Sequence, residues 1–201
     1  TPTHRQRHAI LVNLPKASDK VLLGKEFRSL FIANKLVSVD MAALEGRCQA
    51  HYTYKYDDGA TARELLDGDV HSKNAKAFYP EETKEFDPSS PDFDKEAPGF
   101  KPYRDRSKNG YYAVLYGSGP PKLAQVLGKP IKDGERLYNA FWEANPATAA
   151  LKDNVEKFWN TTGQKKWLPA IDGRRLMTRK KNALLNMIFQ AAGAISMDYA
   201  I

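Results

Sequence analysis

Four side chains at a spacing of four residues carry the clearest chemical signal in this sequence: Arg104, Lys108, Tyr112 and Tyr116. On an α-helix, steps of four advance about 400°, so these side chains would form a slowly drifting stripe roughly 18 Å long. An arginine can bind two phosphate oxygens as a fork, a lysine acts as a point charge, and tyrosines can contact a sugar and a base. The stripe therefore matches a nucleoside triphosphate lying lengthwise, although a solvated basic helix with two core tyrosines has the same spacing.

The charge of the chain favours a polyanionic partner. The 201 residues have a formal net charge of +7, but the segment 81–101 holds seven acids and three bases, so its −4 leaves +11 for the rest. Such a basic body is typical of nucleic-acid binding. No apolar run approaches the roughly 18 residues of a membrane helix, so no membrane partner is expected. The single cysteine, Cys48, excludes an internal disulfide and a cysteine-based metal site.

Prolines, glycines and periodic apolar residues predict the elements that position the stripe. A short buried strand is expected at 36–39, and it would end at Asp40. Helices are expected at 44–51, 60–66, after the cap at 68–69, and at 103–116, 121–128, 132–143, 146–160 and 181–199. The segment 167–177 is expected to form a hairpin that turns at Asp172-Gly173.

The residues of the stripe and several other segments resemble a known family. Arg104 to Gly117 resembles motif B, the O helix of the family A DNA polymerases. The other matching segments follow in family order: Thr3-His4-Arg5 and Asn13-Leu14-Pro15 loosely, Val39 to Arg47 as motif A, Gly68 to Asn74 as the Asp-x-His stretch, and Asn186 to Gly193 as the palm Asn-x-x-x-Gln stretch. The phage replicative branch, related to bacterial DNA polymerase I, is the most similar. The resemblance implies an α+β fold, with a mainly helical fingers subdomain and an incomplete palm sheet.

The same resemblance implies a domain organisation and a function. Residues 1–50 would be the part of the palm that carries motif A, and 51–180 would be the fingers, including an acidic, proline-rich insertion at 81–102. Residues 181–201 would be a palm helix. The implied activity is that of a DNA-directed DNA polymerase, a nucleotidyltransferase of phage DNA replication. Its partners would be dNTP and a DNA primer-template, and its location the cytoplasm of the phage-infected bacterial host.

Motif A implies a magnesium site. By resemblance, Asp40 would bind two Mg²⁺ ions through its carboxylate, and the backbone carbonyl of Met41 would help. Hard oxygen ligands suit Mg²⁺, and two ions can stabilise the attacking and leaving oxygens of a phosphoryl transfer. Lys108 would act as the second catalytic group, since it would lie close to the reacting phosphate.

The resemblance also assigns nucleotide-binding roles. Arg104 and Lys108 would bind the triphosphate, and His71 would reach one of its phosphates. Glu45 would be a steric gate that fills the space of a ribose 2′-hydroxyl and hydrogen-bonds Tyr112. A tyrosine at position 112, rather than a phenylalanine, is similar to the branch that accepts dideoxynucleotides.

Four residues are assigned to DNA binding. Tyr116 would stack near the templating base, or simply pack in the core. Arg5 and Gln190, supported by Asn186, resemble the residues that probe the minor groove of the newest base pairs. Minor-groove acceptors are nearly the same for every correct pair, so donors there can check shape without reading sequence.

The sequence departs from the family pattern in two places. The segment between His71 and Arg104 is longer than the family pattern, and the acidic insertion fills the surplus. Five prolines predict that 80–102 is irregular, and its three phenylalanines, Phe86, Phe93 and Phe100, are expected to pin it onto the body. The chain also stops before the His-Asp-Glu motif that supplies the second metal ligand. We therefore expect one subunit of a split polymerase, active only with chains that carry that motif and the thumb.

Two other functions stay open at this point. A piece of a single-subunit RNA polymerase would share the arginine, lysine and aromatic pattern of motif B. Glu45 together with Tyr112 argues against it, since a gate against the 2′-hydroxyl would defeat RNA synthesis. The other alternative is a non-catalytic DNA-binding remnant. A decayed enzyme would have little reason to retain this set together: Asp40, Arg104, Lys108 and Tyr112.

Overall fold

A computed structural model of the chain describes residues 3, 15, 17–18, 21–32, 34–35, 41–163, 166–178 and 180–200. In this part of the chain the helices are α1 Gly24–Ser29, α2 Leu44–Asp57, α3 Ala60–Asp67, α4 Val70–Phe78, α5 Lys101–Leu115, α6 Pro120–Val126, α7 Gly134–Ala144, α8 Pro146–Thr161 and α9 Leu184–Ala200. Strands β1 Trp167–Pro169 and β2 Arg175–Met177 form an antiparallel pair. The fold is mainly helical with a small sheet, as predicted, and the expected helices from position 44 onward are confirmed. The strand expected at 36–39 lies outside the described residues.

The core lies where α4, α5, α6 and α7 meet, and α9 extends it on one side. Phe78, Leu123, Leu127, Leu137 and Phe141 are completely buried there. The rings of Phe78 and Phe141 stack with their centroids 6.3 Å apart. Truncation of such a buried aromatic side chain typically costs about 3–5 kcal/mol, so this cluster stabilises the packing of α4, α6 and α7, and α5 packs against α4 and α6.

Helix α5 approaches its neighbours unusually closely at Gly110. Glycine in a helix interior costs about 1 kcal/mol relative to alanine, so its presence needs a reason. A Cβ at this position would lie 2.7 Å from Leu127 Cδ2 and 3.3 Å from Phe78 Cε2. Gly110 therefore allows α5 to pack against α4 and against the end of α6.

The insertion is irregular and pinned by aromatic residues, as predicted. Phe100 is fully buried, and the rings of Phe86 and Phe93 lie 5.2 Å and 5.0 Å from it. The Lys76 ammonium donates hydrogen bonds to the carbonyl oxygens of Thr83, at 2.6 Å, and of Phe86, at 2.8 Å. These contacts fix the insertion against the C-terminal end of α4 and the N-terminal end of α5. That helix begins at Lys101 rather than Tyr103, with a proline in its first turn, where no backbone donor is needed.

The hairpin turns where the sequence predicted. Leu168 pairs with Leu176, and Gly173 has a φ of +85°, a left-handed conformation that glycine adopts without strain. Leu168 and Leu176 are both buried against the body. None of the helices in the described ranges is long and apolar enough to cross a membrane.

Candidate functional site

The site is built around a turn between α3 and α4. Asp69 caps α4: its carboxylate accepts hydrogen bonds from the His71 backbone N–H at 3.1 Å and from the Ser72 hydroxyl at 2.8 Å. Because α4 packs along α5, the same carboxylate also reaches Arg104, whose Nε donates to Asp69 Oδ2 at 2.5 Å. One carboxylate thus joins the start of α4 to the first stripe residue of α5.

This ion pair is largely shielded from solvent. The side chains of Arg104 and Asp69 are 17% and 15% exposed. Burial alone would raise the pKa of Asp69, but the hydrogen bonds from Arg104 and Ser72 outweigh it and hold that pKa below its ordinary value. Asp69 is therefore ionised at neutral pH and remains available to Arg104.

Two further carboxylates lie near the outer end of the Arg104 guanidinium. Its Nη1 is 4.0 Å from Glu96 of the insertion and 3.9 Å from Asp105. Both carboxylates are more than half exposed. Nε is held by a short, shielded contact, whereas Nη1 has only longer contacts with solvated groups among the described residues.

The surroundings of His71 favour a neutral imidazole. Its ring packs against Tyr111 and Tyr112, with centroids 5.6 Å and 5.8 Å away. Burial lowers the pKa of His71 to about 4; the positive charges of Arg104 and Lys108 act in the same direction, and Asp69 opposes them. Its Nδ1 is buried and has no hydrogen-bond partner in the described part of the chain. Any phosphate contact at neutral pH would therefore be a hydrogen bond to an uncharged ring.

The predicted stripe lies on one face of α5. Lys108 is exposed one turn beyond Arg104, Tyr112 is half-buried, and Tyr116 is 44% exposed at the end of the helix. The rings of Tyr112 and Tyr116 lie 6.2 Å apart. The opposite face of the helix, including Tyr111, is buried in the core. The structure thus brings the two cations and the two tyrosines together in the predicted order.

Glu45 differs from its prediction in one contact. We expected its carboxylate to bond Tyr112, but it accepts a hydrogen bond from the Tyr116 hydroxyl at 2.9 Å. Tyr112 and Tyr116 are one turn apart on α5. The Tyr116 ring, at the exposed end of that helix, is the one that reaches Glu45 in the first turn of α2. Burial and the nearby Glu45 charge both raise the pKa of Tyr112, so Glu45 and Tyr112 are still neighbours.

The predicted metal site cannot be assembled from the described residues alone. Met41 is 37% exposed just before α2, whereas Asp40 lies outside the described residues, as does Arg5. Within the described ranges, no group of three or more His, Cys, Asp or Glu side chains could hold a metal ion. The magnesium assignment therefore rests on the resemblance of motif A.

Asn186 and Gln190 lie one turn apart on α9, which packs against α2. Both are partly exposed, and Asn186 Oδ1 is buried without a hydrogen-bond partner among the described residues. A Cβ on Gly193 would lie 3.0 Å from Leu44, so α9 runs close to the start of α2. The helix that carries the two amides therefore runs beside the start of α2, where Glu45 lies.

Sequence reasoning missed an ion pair and a buried hydrogen-bond network that hold α5 in position. Asp69 was recognised as a cap, but its pairing with Arg104, 35 residues away, has no local signal. Tyr111 received no role, yet its buried hydroxyl donates to Gln49, which in turn donates to Thr148 at 2.7 Å. This network joins α2, α5 and α8 and holds the buried face of α5.

Comparisons with known proteins agree on one family. No family model matches the chain. The DNA-directed DNA polymerases of Enterobacteria phage T3 and Escherichia phage T7 are each 31% identical to it over 168 residues, covering 78% of this chain and 21% of each phage protein. Among solved structures, the polymerase domain of Pol1 from M. smegmatis, in complex with DNA primer-template and dNTP, superposes with a TM-score of 0.72 at 19% identity. That match covers 100% of this chain and 35% of the other.

The structural match shows the fold, and the phage matches show common ancestry. The chain spans about a fifth of the length of these curated relatives. The chain is a homologue of the family A DNA polymerases over that part of their length.

Proposed function

We propose that this chain forms the fingers and part of the palm of a DNA-templated DNA polymerase and binds the incoming dNTP along α5. The observation that carries the proposal is the placement of Arg104, Lys108, Tyr112 and Tyr116 on one face of α5. His71 and Glu45 flank this face, since the His71 ring packs against Tyr112 and the Glu45 carboxylate bonds Tyr116. The relatives are named DNA-directed DNA polymerases, which agrees with this chemistry.

The order of side chains along α5 fits the parts of a dNTP. The terminal nitrogens of Arg104 can bind outer phosphate oxygens as a fork. Lys108 is exposed and would stabilise the charge that shifts during phosphoryl transfer, which is what makes it catalytic. Tyr112 would lie against the sugar and base. The helix rise of about 1.5 Å per residue gives the stripe the length that an extended nucleotide needs.

DNA polymerases generally use Mg²⁺ ions, which stabilise the attacking and leaving oxygens. We propose that Asp40 and the backbone carbonyl of Met41 contribute ligands to two such ions. A second carboxylate would come from polypeptide outside these 201 residues, either continuous with them or in another chain. We call the chain together with that polypeptide and the thumb the assembled polymerase.

The DNA would run past the tyrosine end of α5. Tyr116 would stack near the templating base, and Gln190 with Asn186 and Arg5 would probe the minor groove behind it. The net positive charge of the chain supports binding to the phosphate backbone. Since these relatives are phage proteins, DNA synthesis would take place in the cytoplasm of an infected bacterium.

Sugar selection provides the test of this proposal. In the assembled polymerase, Glu45→Ala should raise the kcat/KM for rNTP relative to dNTP at least tenfold, about 1.4 kcal/mol, because the 2′-hydroxyl then has room. Glu135→Ala is the matched control, since Glu135 is also a first-turn helix glutamate but lies on α7. A Glu45→Ala ratio within about twofold of wild type would show that Glu45 is not the gate.

Tyr112→Phe tests the neighbouring sugar contact. It should selectively weaken the use of ddNTP, because the tyrosine hydroxyl can replace the missing 3′-hydroxyl of that substrate. A wild-type preference for rNTP would instead favour the RNA polymerase alternative. Binding of primer-template without any nucleotide incorporation would favour the non-catalytic remnant.

A further inference from the structure

We propose that Asp69 is a positioning residue: it holds the Arg104 side chain ready for the triphosphate and ties it to the turn that carries His71. This inference rests on the proposed function of α5. The carboxylate contacts three groups from two helices, namely Arg104 Nε, the His71 backbone N–H and the Ser72 hydroxyl. Asp69 touches no substrate atom in this proposal and acts through Arg104.

The geometry of the ion pair leaves the terminal nitrogens of the Arg104 guanidinium available to bind a phosphate. Asp69 engages Nε, which is the nitrogen on the side-chain stem. A fork-like contact with a phosphate uses the terminal nitrogens, and these point away from the stem. The Asp69 contact and a phosphate contact are therefore compatible, and Arg104 can bind both at once.

A fixed Arg104 side chain should bind the triphosphate more tightly than a mobile one. A free arginine side chain has many rotamers, and ordering it on binding reduces affinity. In this structure the Arg104 side chain is only 17% exposed, and its carboxylate partner is anchored by two helix-capping hydrogen bonds. The rotamer is selected before the nucleotide arrives, so the affinity for dNTP should depend on Asp69.

The test separates the ion pair from the cap. Asparagine caps helices about as well as aspartate, so Asp69→Asn keeps the α4 turn while it removes the charge that holds Arg104. In the assembled polymerase we expect the KM for dNTP to rise roughly tenfold, with kcat and the primer-template Kd within about twofold of wild type. Asp57→Asn is the matched control, since the Asp57 carboxylate also accepts backbone hydrogen bonds at the start of a helix but forms no ion pair within the described part of the chain. Asp69→Ser, which also caps without charge, repeats the test if the asparagine variant does not fold.

A double-mutant cycle then shows whether Asp69 acts through Arg104. Arg104→Ala should raise the KM for dNTP, and adding Asp69→Asn to it should have no further effect. The inference is overturned if Asp69→Asn leaves the KM unchanged, or if it raises the KM equally in the Arg104→Ala background. If Arg104→Ala itself leaves the KM unchanged, the assignment of α5 as the triphosphate site fails, and this inference fails with it.

Discussion

Two turns of this molecule each present an aspartate that accepts backbone hydrogen bonds at the start of a helix, but the two carboxylates differ in what else they contact. At the α2–α3 junction, Asp57 accepts hydrogen bonds from the Gly59 N–H at 3.0 Å and from the Thr61 N–H at 2.9 Å. At the α3–α4 junction, Asp69 accepts from the His71 N–H and, in addition, from Arg104 of a distant helix. Only the second turn connects a cap to a candidate substrate ligand.

The comparison shows which property of a carboxylate indicates function. Burial would raise the pKa of both aspartates, and hydrogen bonds lower both pKa values below the ordinary range. A lowered pKa therefore does not distinguish a simple cap from a site residue. What distinguishes Asp69 is the long-range partner and its place at the end of a stripe of cations and tyrosines.

The largest expected effect concerns an exposed cation near each turn, Lys108 near the Asp69 turn and Arg63 at the Asp57 turn. Lys108→Ala should lower the kcat of the assembled polymerase about 100-fold or more and leave primer-template affinity nearly unchanged, because the charge acts on the transferring phosphate. Arg63, an exposed cation at the Asp57 turn that donates to the Asp58 carbonyl at 3.0 Å, is the control. Arg63→Ala should leave kcat within about twofold. Equal losses of DNA affinity in both variants would indicate a generic basic surface instead.

A second prediction addresses the helix packing that brings Arg104 to Asp69. Gly110→Ala should lower the free energy of unfolding by about 1–3 kcal/mol, despite the better helix propensity of alanine, because the methyl group would collide with Leu127 and Phe78. Gly119→Ala is the control, since an added Cβ there meets nothing within 4 Å. It should lower the free energy of unfolding by less than about 1 kcal/mol. Denaturant unfolding measures both. A stabilised Gly110→Ala variant would show that α5 is packed less tightly than described.

A third prediction concerns the pH dependence of stability. His71 lies two positions after Asp69 and can titrate, whereas the residue two positions after Asp57 is Gly59, which cannot. Burial lowers the pKa of His71 from 6.5 to about 4, so the unfolded chain binds more protons than the folded chain between those values. Stability should therefore fall as the pH drops through this window, and His71→Asn should flatten the slope. NMR titration of the imidazole checks the cause. A midpoint near 6.5 in the folded protein would contradict it.

The smallest expected effect concerns Glu96, an insertion residue whose carboxylate lies near the Arg104 guanidinium. Its carboxylate is about half exposed and 4.0 Å from Nη1, so solvent screens the contact. Glu96→Gln should change the KM for dNTP less than about twofold, and Asp92→Asn is the charge-matched control elsewhere in the insertion. A change as large as that expected for Asp69→Asn would show that the insertion, rather than the α4 cap, controls Arg104.

Local features of the sequence predicted most of the fold. Caps, prolines and apolar periodicity placed the helices from α2 onward, and Asp172-Gly173 marked the hairpin turn. The spacing of the stripe was sufficient to place Arg104 and Lys108 on one helix face. These features depend on residues only a few positions apart, which a single sequence displays directly.

Contacts between distant elements could not be predicted in the same way. The Asp69–Arg104 pair spans 35 positions, and Glu45 bonds Tyr116 rather than Tyr112 across 71 positions. Both depend on how α5 is rotated and packed against α2 and α4. That packing is set by the core and by the close approach at Gly110, neither of which appears in the local spacing of the polar residues.

The central claim is that α5 receives the triphosphate while Asp69 holds Arg104. The most direct measurement is a structure of the assembled polymerase with primer-template and an incoming dNTP. We expect the terminal nitrogens of Arg104 on the outer phosphate, its Nε still on Asp69, Lys108 on a phosphate oxygen and Tyr112 against the sugar. A triphosphate bound away from α5 would contradict the account.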